Sequence, residues 1–475
     1  MSSRSPLMKI SRQVRRAEER KQDKEDKKLA KQLELSDFIY EATDEHMTFS
    51  AMGPQLVDFI RVVGLPRFLK EHIGIEKRKS PYPSEKLSQL LVVQNILGYD
   101  RIEGSRVLNQ DTILKQKLGI SDYPDPETFR DELARYTPEN IEGLFLVNRR
   151  VIDVLCRLVK ACEVDLHFDA KVITVYGDQE GAAEGYNPHK NGRKSYHMKV
   201  CTIEPFGFIL AIRLEPGNAV SNTDFCEFYR KCMDAMPQEH LVVGTVRLDS
   251  GFFCEENIEV FEGDFLFFEV VAKKYGNILH WVRECIPEDS FEPFYPGGGI
   301  AGASFNYCMT TWEKPHDFVV VRKLTENENN GQGMLFPKWR YQIICHNQPD
   351  MTPKEVWEDY NKRAKIELTI RDLDYDHFIT SVPTGNFNSN FAYFWHCVLA
   401  YNMALIFKRY ILTEQWHNAR TSTLRKNLIN IPGRLVNRSG KMIMRLMAGF
   451  PFVDVLQFVK ERLLWLYRTL HPAPA

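Results

Sequence analysis

The chain has 475 residues, of which 44% are hydrophobic and 26% charged, and its formal net charge is −1. This composition is typical of a globular protein, and the length predicts two to four domains. The ten cysteines include no CxxC pair, which argues against zinc and redox motifs and favours a reducing, cytoplasmic setting. The longest apolar stretch, residues 391–407, is interrupted by His396 and Asn402, so it predicts a buried helix and no membrane span.

The N-terminal third is predicted to be helical after a charged arm. Residues 1–35 carry eleven Lys and Arg against six Asp and Glu, which predicts a charged basic arm. Residues 36–160 place apolar side chains at helical spacing, as in "LSQLLVVQNILGYDRIEGSRVL". We therefore predict a helical N-terminal domain here.

The pattern changes to strands in residues 161–275. The segments "EVDLHFDAKVITVYG", "SYHMKVCTIE" and "GFILAIRLE" alternate and are rich in β-branched residues. An amphipathic helix, the buried strand "LVVGTVRLDSGF" and the strand "DFLFFEVVA" follow. Three hairpin strands, a helix, a strand, a helix and a strand are the order of a ribonuclease-H-like core, so this segment is predicted to be its first part.

The remaining chain is predicted to complete an α/β fold. Residues 276–350 contain aromatic strands and predict a β-rich insertion, whose "YPGGGIAGAS" lacks the GK[ST] ending of a phosphate loop. Residues 351–412 predict the second part of the core, with the helix that carries Glu367, and residues 413–475 a basic helical C-terminal region. The predicted fold is thus a ribonuclease-H-like catalytic core with a β-rich insertion, flanked by helical N- and C-terminal regions.

A concentration of positive charge marks the C-terminal part. Residues 408–445 hold nine Lys and Arg against one Glu, interleaved with apolar side chains. In a chain that is neutral overall, this pattern predicts a folded basic surface that binds a polyanion. Arg434 and Arg438 are the side chains that we assign to DNA binding.

One helix carries a stripe of polar side chains. In "YNKRAKIELTIRDL" the spacing of three and four residues places on one face Tyr360, Arg363, Glu367, Arg371 and, just beyond, Asp374. A solvated face would show the same pattern, because a cation and a carboxylate four residues apart form an ordinary surface ion pair.

Two further carboxylates lie in predicted strands. Asp169 is in the first hairpin strand, and Asp249 ends the buried strand that follows the helix. These strands are neighbours in a ribonuclease-H-like sheet, where two close carboxylates repel unless a cation joins them. With Glu367 as a third ligand, the oxygen donors would suit Mg²⁺ or Mn²⁺, and two such ions can promote in-line attack on a phosphodiester.

Arg193 and Lys194 open the second predicted strand in "NGRKSYH". They can form a charged hairpin end, or they can contact DNA beside Asp169 through the adjacent strand. Both interpretations remain open from the sequence.

Taken together, these segments resemble the DDE transposases of bacterial insertion sequences. The stretches "HFDAKVITVYGDQEGAAEGYNPHKNGRKSYH", "LEPGNAVSNTDF", "VRLDSGFF" and "YNKRAKIELTI" match blocks of that family in the same order. The resemblance covers most of residues 80–470. It is to the Tyr-Arg-Glu-Lys signature group, and within it to the insertion-sequence family named thirteen-eighty.

The resemblance implies roles for particular residues. Asp169, Asp249 and Glu367 would be the catalytic and metal-binding triad for two Mg²⁺ ions, with Mn²⁺ as a substitute. Tyr360 and Arg363 would contact DNA near the scissile end. The lysine of the signature corresponds to Asp374 in this chain, and Arg371 is the candidate for a replacement cation.

The implied function is metal-dependent cleavage at the ends of a mobile element, followed by strand transfer into target DNA. The implied partners are double-stranded DNA, as terminal inverted repeats and target, and a second copy of the chain in a synaptic complex. The implied role of the helical N-terminal domain is DNA-end binding or dimerisation. No membrane is involved, and the expected location is cytoplasmic, at the nucleoid. Two alternatives are a ribonuclease-H-like nuclease without strand transfer and a domesticated, non-catalytic DNA-binding relic.

Overall fold

The computed structural model describes residues 12–32, 46–77, 80–188, 190–325 and 338–472. The chain divides into two compact units, Met1–Glu45 and His46–Ala475. In the first unit, helix α1 (Arg12–Gln32) is rich in Lys, Arg, Asp and Glu. Of the predicted basic arm, residues 1–11 and 33–35 lie outside the described part of the chain.

The second unit begins with a short strand and a series of helices. They are β1 (Met47–Thr48), α2 (Gly53–Val63), α3 (Leu65–His72), α4 (Ser84–Leu97), α5 (Ser105–Leu108), α6 (Thr112–Leu118), α7 (Pro126–Leu133) and α8 (Pro138–Leu158). Local sequence sets the start of α8, where Thr137 and Asn140 form a reciprocal capping box and Pro138 occupies the first turn.

A large mixed sheet follows, with helices between some of its strands. The elements are β2 (Cys162–Thr174), β3 (Ala183–Glu184), β4 (Lys194–Glu204), β5 (Phe208–Pro216), α9 (Phe225–Ala235), β6 (Leu241–Leu248), α10 (Glu255–Gly263), β7 (Phe267–Val271), α11 (Gly276–Glu284), β8 (Glu292–Pro293), β9 (Ile300–Tyr307), β10 (His316–Thr325) and β11 (Lys338–His346). The strand order is β3-β4-β2-β6-β7-β11-β10-β9-β8, with β5 paired to β4.

The predicted insertion extends this same sheet. Strand β6 runs parallel to both β2 and β7, whereas β11 pairs antiparallel with β7 and carries β10 and β9 beyond it. An unpaired β7 would present open backbone groups, and β11 satisfies them. A second, smaller apolar cluster joins the outer strands to the next helix through Val319 and Ile344 on one side and Val356 and Tyr360 on the other.

The last segment contains the polar helix and the C-terminal elements. They are α12 (Pro353–Asn361), α13 (Ala364–Tyr375), α14 (Phe387–Ile406), α15 (Thr421–Leu424), β12 (Gly433–Arg438), β13 (Lys441–Arg445) and α16 (Val453–Leu470). Helix α12 begins with a capping box, because Thr352 and Glu355 bond each other's backbone N–H groups.

Helix α14 is the buried helix predicted around residues 391–407, and it packs against α4, α8 and β5. Its Asn402 accepts from the Ile209 N–H at 3.0 Å and donates to the Ile209 carbonyl at 2.8 Å, at a bulge in β5. The side chain of Asn148 on α8 also bonds Asn402, at 2.8 Å. A polar residue in an apolar helix therefore pairs backbone groups that the bulge leaves open. In the described part of the chain, no helix is long and apolar enough to span a membrane.

The C-terminal region differs from the helical prediction, because β12 and β13 form a hairpin. Arg438 pairs with Lys441, so Ser439 and Gly440 make a two-residue turn with positive φ of 52° and 75°. Both turn residues thus adopt the left-handed conformations typical of tight hairpins. Asn437 supports the turn by accepting from the Gly440 N–H at 3.1 Å.

Candidate active site

The sheet register brings Asp169 and Asp249 to neighbouring points. Parallel strands β2 and β6 pair as far as Phe168 and Leu248, and each aspartate is the next residue along its strand. Asp249 then accepts from the Gly251 N–H at 2.9 Å and caps a short turn. Asp169 and Asp249 thus occupy equivalent positions on two adjacent strands, each one residue beyond the last pair.

Arg363 lies among the predicted catalytic carboxylates. Its Nη2 is 3.0 Å from the Asp169 Oδ1, and its Nη1 is 3.4 Å from the Glu367 Oε1. The Arg363 side chain is only 9% exposed, whereas that of Glu367 is 65% exposed. One arginine therefore joins β2 to the start of α13 and holds the predicted third carboxylate beside the first.

The local charges alter the protonation of the site. Burial raises the pKa of Asp169 to about 6; the Arg363 guanidinium opposes this shift, and the nearby charges of Asp249 and Glu367 add to it. For Arg363, burial lowers the pKa, but the attraction of Asp169 and the neighbouring groups leaves it raised overall. The Arg363–Asp169 pair is therefore ionised at neutral pH.

The donors of this site suit a divalent cation by their chemistry. Carboxylate oxygens are the ligands that Mg²⁺ and Mn²⁺ prefer. In the described residues, no three ligand side chains are close enough together to hold a metal ion. The Arg363 guanidinium instead lies between Asp169 and Glu367 as a stand-in cation.

Tyr360 is more enclosed than a DNA contact would suggest. It is 7% exposed, its ring packs in the smaller apolar cluster, and its hydroxyl donates to the Leu248 carbonyl at 3.3 Å. The side chain thus holds α12 against the end of β6, one residue before Asp249. Arg371, also on the predicted stripe, is 46% exposed and bonds the adjacent Asp372 at 3.2 Å.

Arg247 is a central residue that the sequence analysis did not identify. It is 2% exposed, donates from Nε to Glu269 at 2.8 Å, and also forms ion pairs with Asp165 and Asp359. These contacts connect β6 to β2, β7 and α12. Alternation along "VRLD" places Arg247 on the same strand face as Asp249, and this spacing could have identified Arg247 from the sequence.

Arg193 and Lys194 do not lie beside Asp169, contrary to the adjacency that the sequence suggested. Asp169 pairs with Val200, so Lys194 is six residues away along β4, roughly 20 Å at the rise of a strand. Lys194 forms an ion pair with Asp178 at 2.8 Å. The length of the hairpin separates these cations from the site, and their contact with DNA stays a prediction.

The predicted basic surface is smaller than expected, because several of its cations point inward. Arg425 donates to the carbonyls of Asn95 and Ile96 at the end of α4, and Arg420 bonds Asp376 at 2.7 Å. Such cations satisfy a helix C-terminus and an acidic side chain. The cations that remain exposed in the hairpin are Arg434, Arg438, Lys441 and Arg445.

Comparison with known proteins identifies a family and a similar solved structure. The family model described as transposase DDE domain group 1 matches residues 44–467. A cryo-EM structure of a piggyBac transposase synaptic complex with hairpin DNA is similar over 91% of this chain and 85% of that chain, with 10% sequence identity and a TM-score of 0.39. No curated protein matches the chain.

The raised pKa of Asp169 predicts a gain in stability when the charge is removed. The pKa is about 6 in the folded protein against an ordinary 3.8, so burial of the carboxylate costs free energy above pH 6 and nothing below about pH 4. We expect Asp169→Asn to raise the free energy of unfolding by about 1–3 kcal/mol at pH 8.

The measurement is denaturant unfolding in EDTA at pH 8 and pH 4, where the gain should shrink. Asp131→Asn, at an exposed position of α7, is the control and should show no such pH-dependent gain. A stability gain of equal size at both pH values, or no gain at pH 8, would show that burying the ionised Asp169 carboxylate does not cost free energy.

Proposed function

The chain belongs to the transposase DDE domain group 1 family, and we propose that it cleaves DNA at the ends of an insertion sequence and transfers the strands into target DNA. The observation that carries the proposal is the contact of Arg363 with both Asp169 and Glu367, beside the strand end at which Asp249 lies. We also propose membership of the Tyr-Arg-Glu-Lys signature group, in the insertion-sequence family named thirteen-eighty.

The sheet supports a ribonuclease-H-like core. Its central part has the order β5-β4-β2-β6-β7, with antiparallel hairpins up to β2 and parallel pairing from β2 through β6 to β7. The two aspartates lie on its two central strands, and Glu367 lies on α13, which contacts β2. We propose that the outer strands β8–β11 are the insertion into this core.

In the proposed mechanism, Asp169, Asp249 and Glu367 would hold two Mg²⁺ ions, or Mn²⁺ as a substitute. Bound divalent ions supply activation of the attacking water or 3′-hydroxyl and stabilisation of the leaving oxygen. Arg363 moves from the carboxylates to a DNA phosphate, for which its planar guanidinium is suited. Tyr360 keeps α12 in place while this exchange occurs.

DNA binding is proposed to extend from the site to the exposed hairpin. Arg434 and Arg438 would neutralise phosphates there, and Arg371 would do so near the site, while Arg193 and Lys194 would contact a more distant segment. We expect a homodimer to pair two terminal inverted repeats in a synaptic complex, in the cytoplasm at the nucleoid. A nuclease without strand transfer is the second candidate, and an intact set of three carboxylates argues against a non-catalytic relic.

The first test removes each carboxylate charge. Asp169→Asn, Asp249→Asn and Glu367→Gln should each abolish strand cleavage but leave binding of DNA ends largely intact, because only metal ligation is removed. Cleavage of a labelled terminal-repeat duplex with Mg²⁺ or Mn²⁺, and gel-shift titration with Ca²⁺, measure the two properties. Strand-transfer products in the same reaction distinguish a transposase from a nuclease.

Glu358→Gln is the control, since Glu358 is a half-exposed carboxylate of α12 that bonds Lys354 and Tyr295. It should cleave at the wild-type rate. A near-normal rate in any of the three carboxylate variants would remove that residue from the proposed triad, and zinc-dependent activity would contradict the oxygen-ligand site.

The second test concerns the hairpin. Replacing Arg434 and Arg438 by Ala should weaken binding to specific and random duplexes by similar factors. The slope of log K against log salt should become shallower by about 0.9 for each phosphate that the variant no longer neutralises. The melting temperature should stay close to that of the wild type, because exposed substitutions usually change stability by about 0.5 kcal/mol or less.

Arg420→Ala provides the matched control, because the partly exposed Arg420 pairs with the buried Asp376. This variant should have a lower melting temperature and keep the wild-type salt slope. An unchanged slope in the Arg434/Arg438 variant, together with a lowered melting temperature, would assign those arginines an internal role instead.

A further inference from the structure

A second ion pair connects the same strand and helix as the Arg363–Asp169 pair. Lys171 lies two residues after Asp169, on the same face of β2, and its Nζ is in close contact with the Asp374 Oδ2 on α13. The side chains are 15% and 19% exposed, so solvent screens this pair less than a surface pair.

The two pairs lie on either side of Glu367. Arg363 is one helical turn before it and Asp374 is two turns after it, on the same stripe of the helix. At one end the strand supplies the anion and the helix the cation, whereas at the other end the strand supplies Lys171 and the helix Asp374. The order of positive and negative charge across the contact between β2 and α13 therefore reverses from one ion pair to the other.

This reversal selects one register of the helix on the strand. If α13 moved by about one turn in one direction, Glu367 would face Asp169, and two carboxylates would meet. If it moved in the other direction, Arg371 would face Lys171, and two cations would meet. Like charges in a partly buried contact are unfavourable, so either slip is opposed.

We propose that Lys171 is a positioning residue for the DNA-cleavage reaction, acting through Asp374 to fix the position of Glu367 along β2 relative to Asp169 and Asp249. This inference rests on the proposed function. Asp374 occupies the position at which the signature has a lysine. In this chain the lysine of that ion pair lies on β2, as Lys171. A displacement of about 1 Å in a catalytic group can cost roughly 100-fold in rate, so the pair should matter for turnover.

The experiment compares single variants with a charge exchange in the full-length protein. Lys171→Met and Asp374→Asn should each lower the maximal rate of metal-dependent end cleavage by about 10- to 100-fold, as mutation of supporting residues does at other metal sites. Affinity for the DNA end should change by about twofold or less, since neither side chain is proposed to touch DNA. The exchange Lys171→Asp/Asp374→Lys should restore most of the wild-type rate.

Two variants serve as controls. Lys171→Arg keeps the charge and should retain activity. Lys365→Met removes an exposed charge from the other flank of α13 and should cleave at the wild-type rate. Circular dichroism melting identifies any variant that fails to fold; if the single variants unfold, the folded charge exchange still tests the proposal through its rate.

Three outcomes would overturn the inference. A folded charge exchange no faster than the single variants would show that the pair does not position Glu367. Unchanged rates in both single variants would do the same. A weaker DNA affinity in Lys171→Met, with a salt slope shallower by about 0.9, would make Lys171 a phosphate-binding residue. Absence of metal-dependent cleavage by the wild type would instead refute the proposed function.

Discussion

The structure around the candidate site depends on neutralising carboxylates that are buried on one face of the sheet. Isolated charges in such a place are costly, and two arginines supply the opposite charge. Arg247 forms ion pairs with Asp165 and Glu269, and Arg363 forms one with Asp169. Burial still raises the pKa of Glu269 to about 8, although the charge of Arg247 opposes that shift. This face is therefore arranged by electrostatics as much as by apolar packing.

The same charges attach the site helices to the sheet. Arg247 reaches Asp359 on α12, and Arg363 at the start of α13 reaches β2. Apolar contacts add to this attachment, because Val356 and Tyr360 of α12 pack against the outer strands. The strands predicted as an insertion thus form part of the platform for the helices that carry Tyr360 and Glu367.

Much of this arrangement could be predicted from local patterns. Strand alternation located β2, β4 and β5, and apolar runs located β6 and β7. The capping box at Thr352 marked the start of α12. Such features are encoded within a few residues of where they act, which is why one sequence suffices to find them.

Other features depend on contacts that are distant in sequence. Arg420 pairs with Asp376 and the buried Arg425 bonds the end of α4, so charge counting alone overestimated the basic surface. From the sequence, Arg247 resembles a surface residue within a strand. In the structure it is buried among three carboxylates that are distant in sequence. The hairpin has a local turn signal in "NRSGK", which the charge pattern of residues 408–445 does not reveal.

The central claim is that the carboxylates around Arg363 form a divalent-cation site in which the guanidinium takes the place of the metal. Titration of Mn²⁺ by electron paramagnetic resonance, without DNA, tests it directly. Arg363→Ala should bind Mn²⁺ several-fold more tightly than the wild type, because a competing cation has been removed. Adding Asp169→Asn to that variant should abolish the gain. Binding by Arg363→Ala that is equal to or weaker than that of the wild type would contradict the claim.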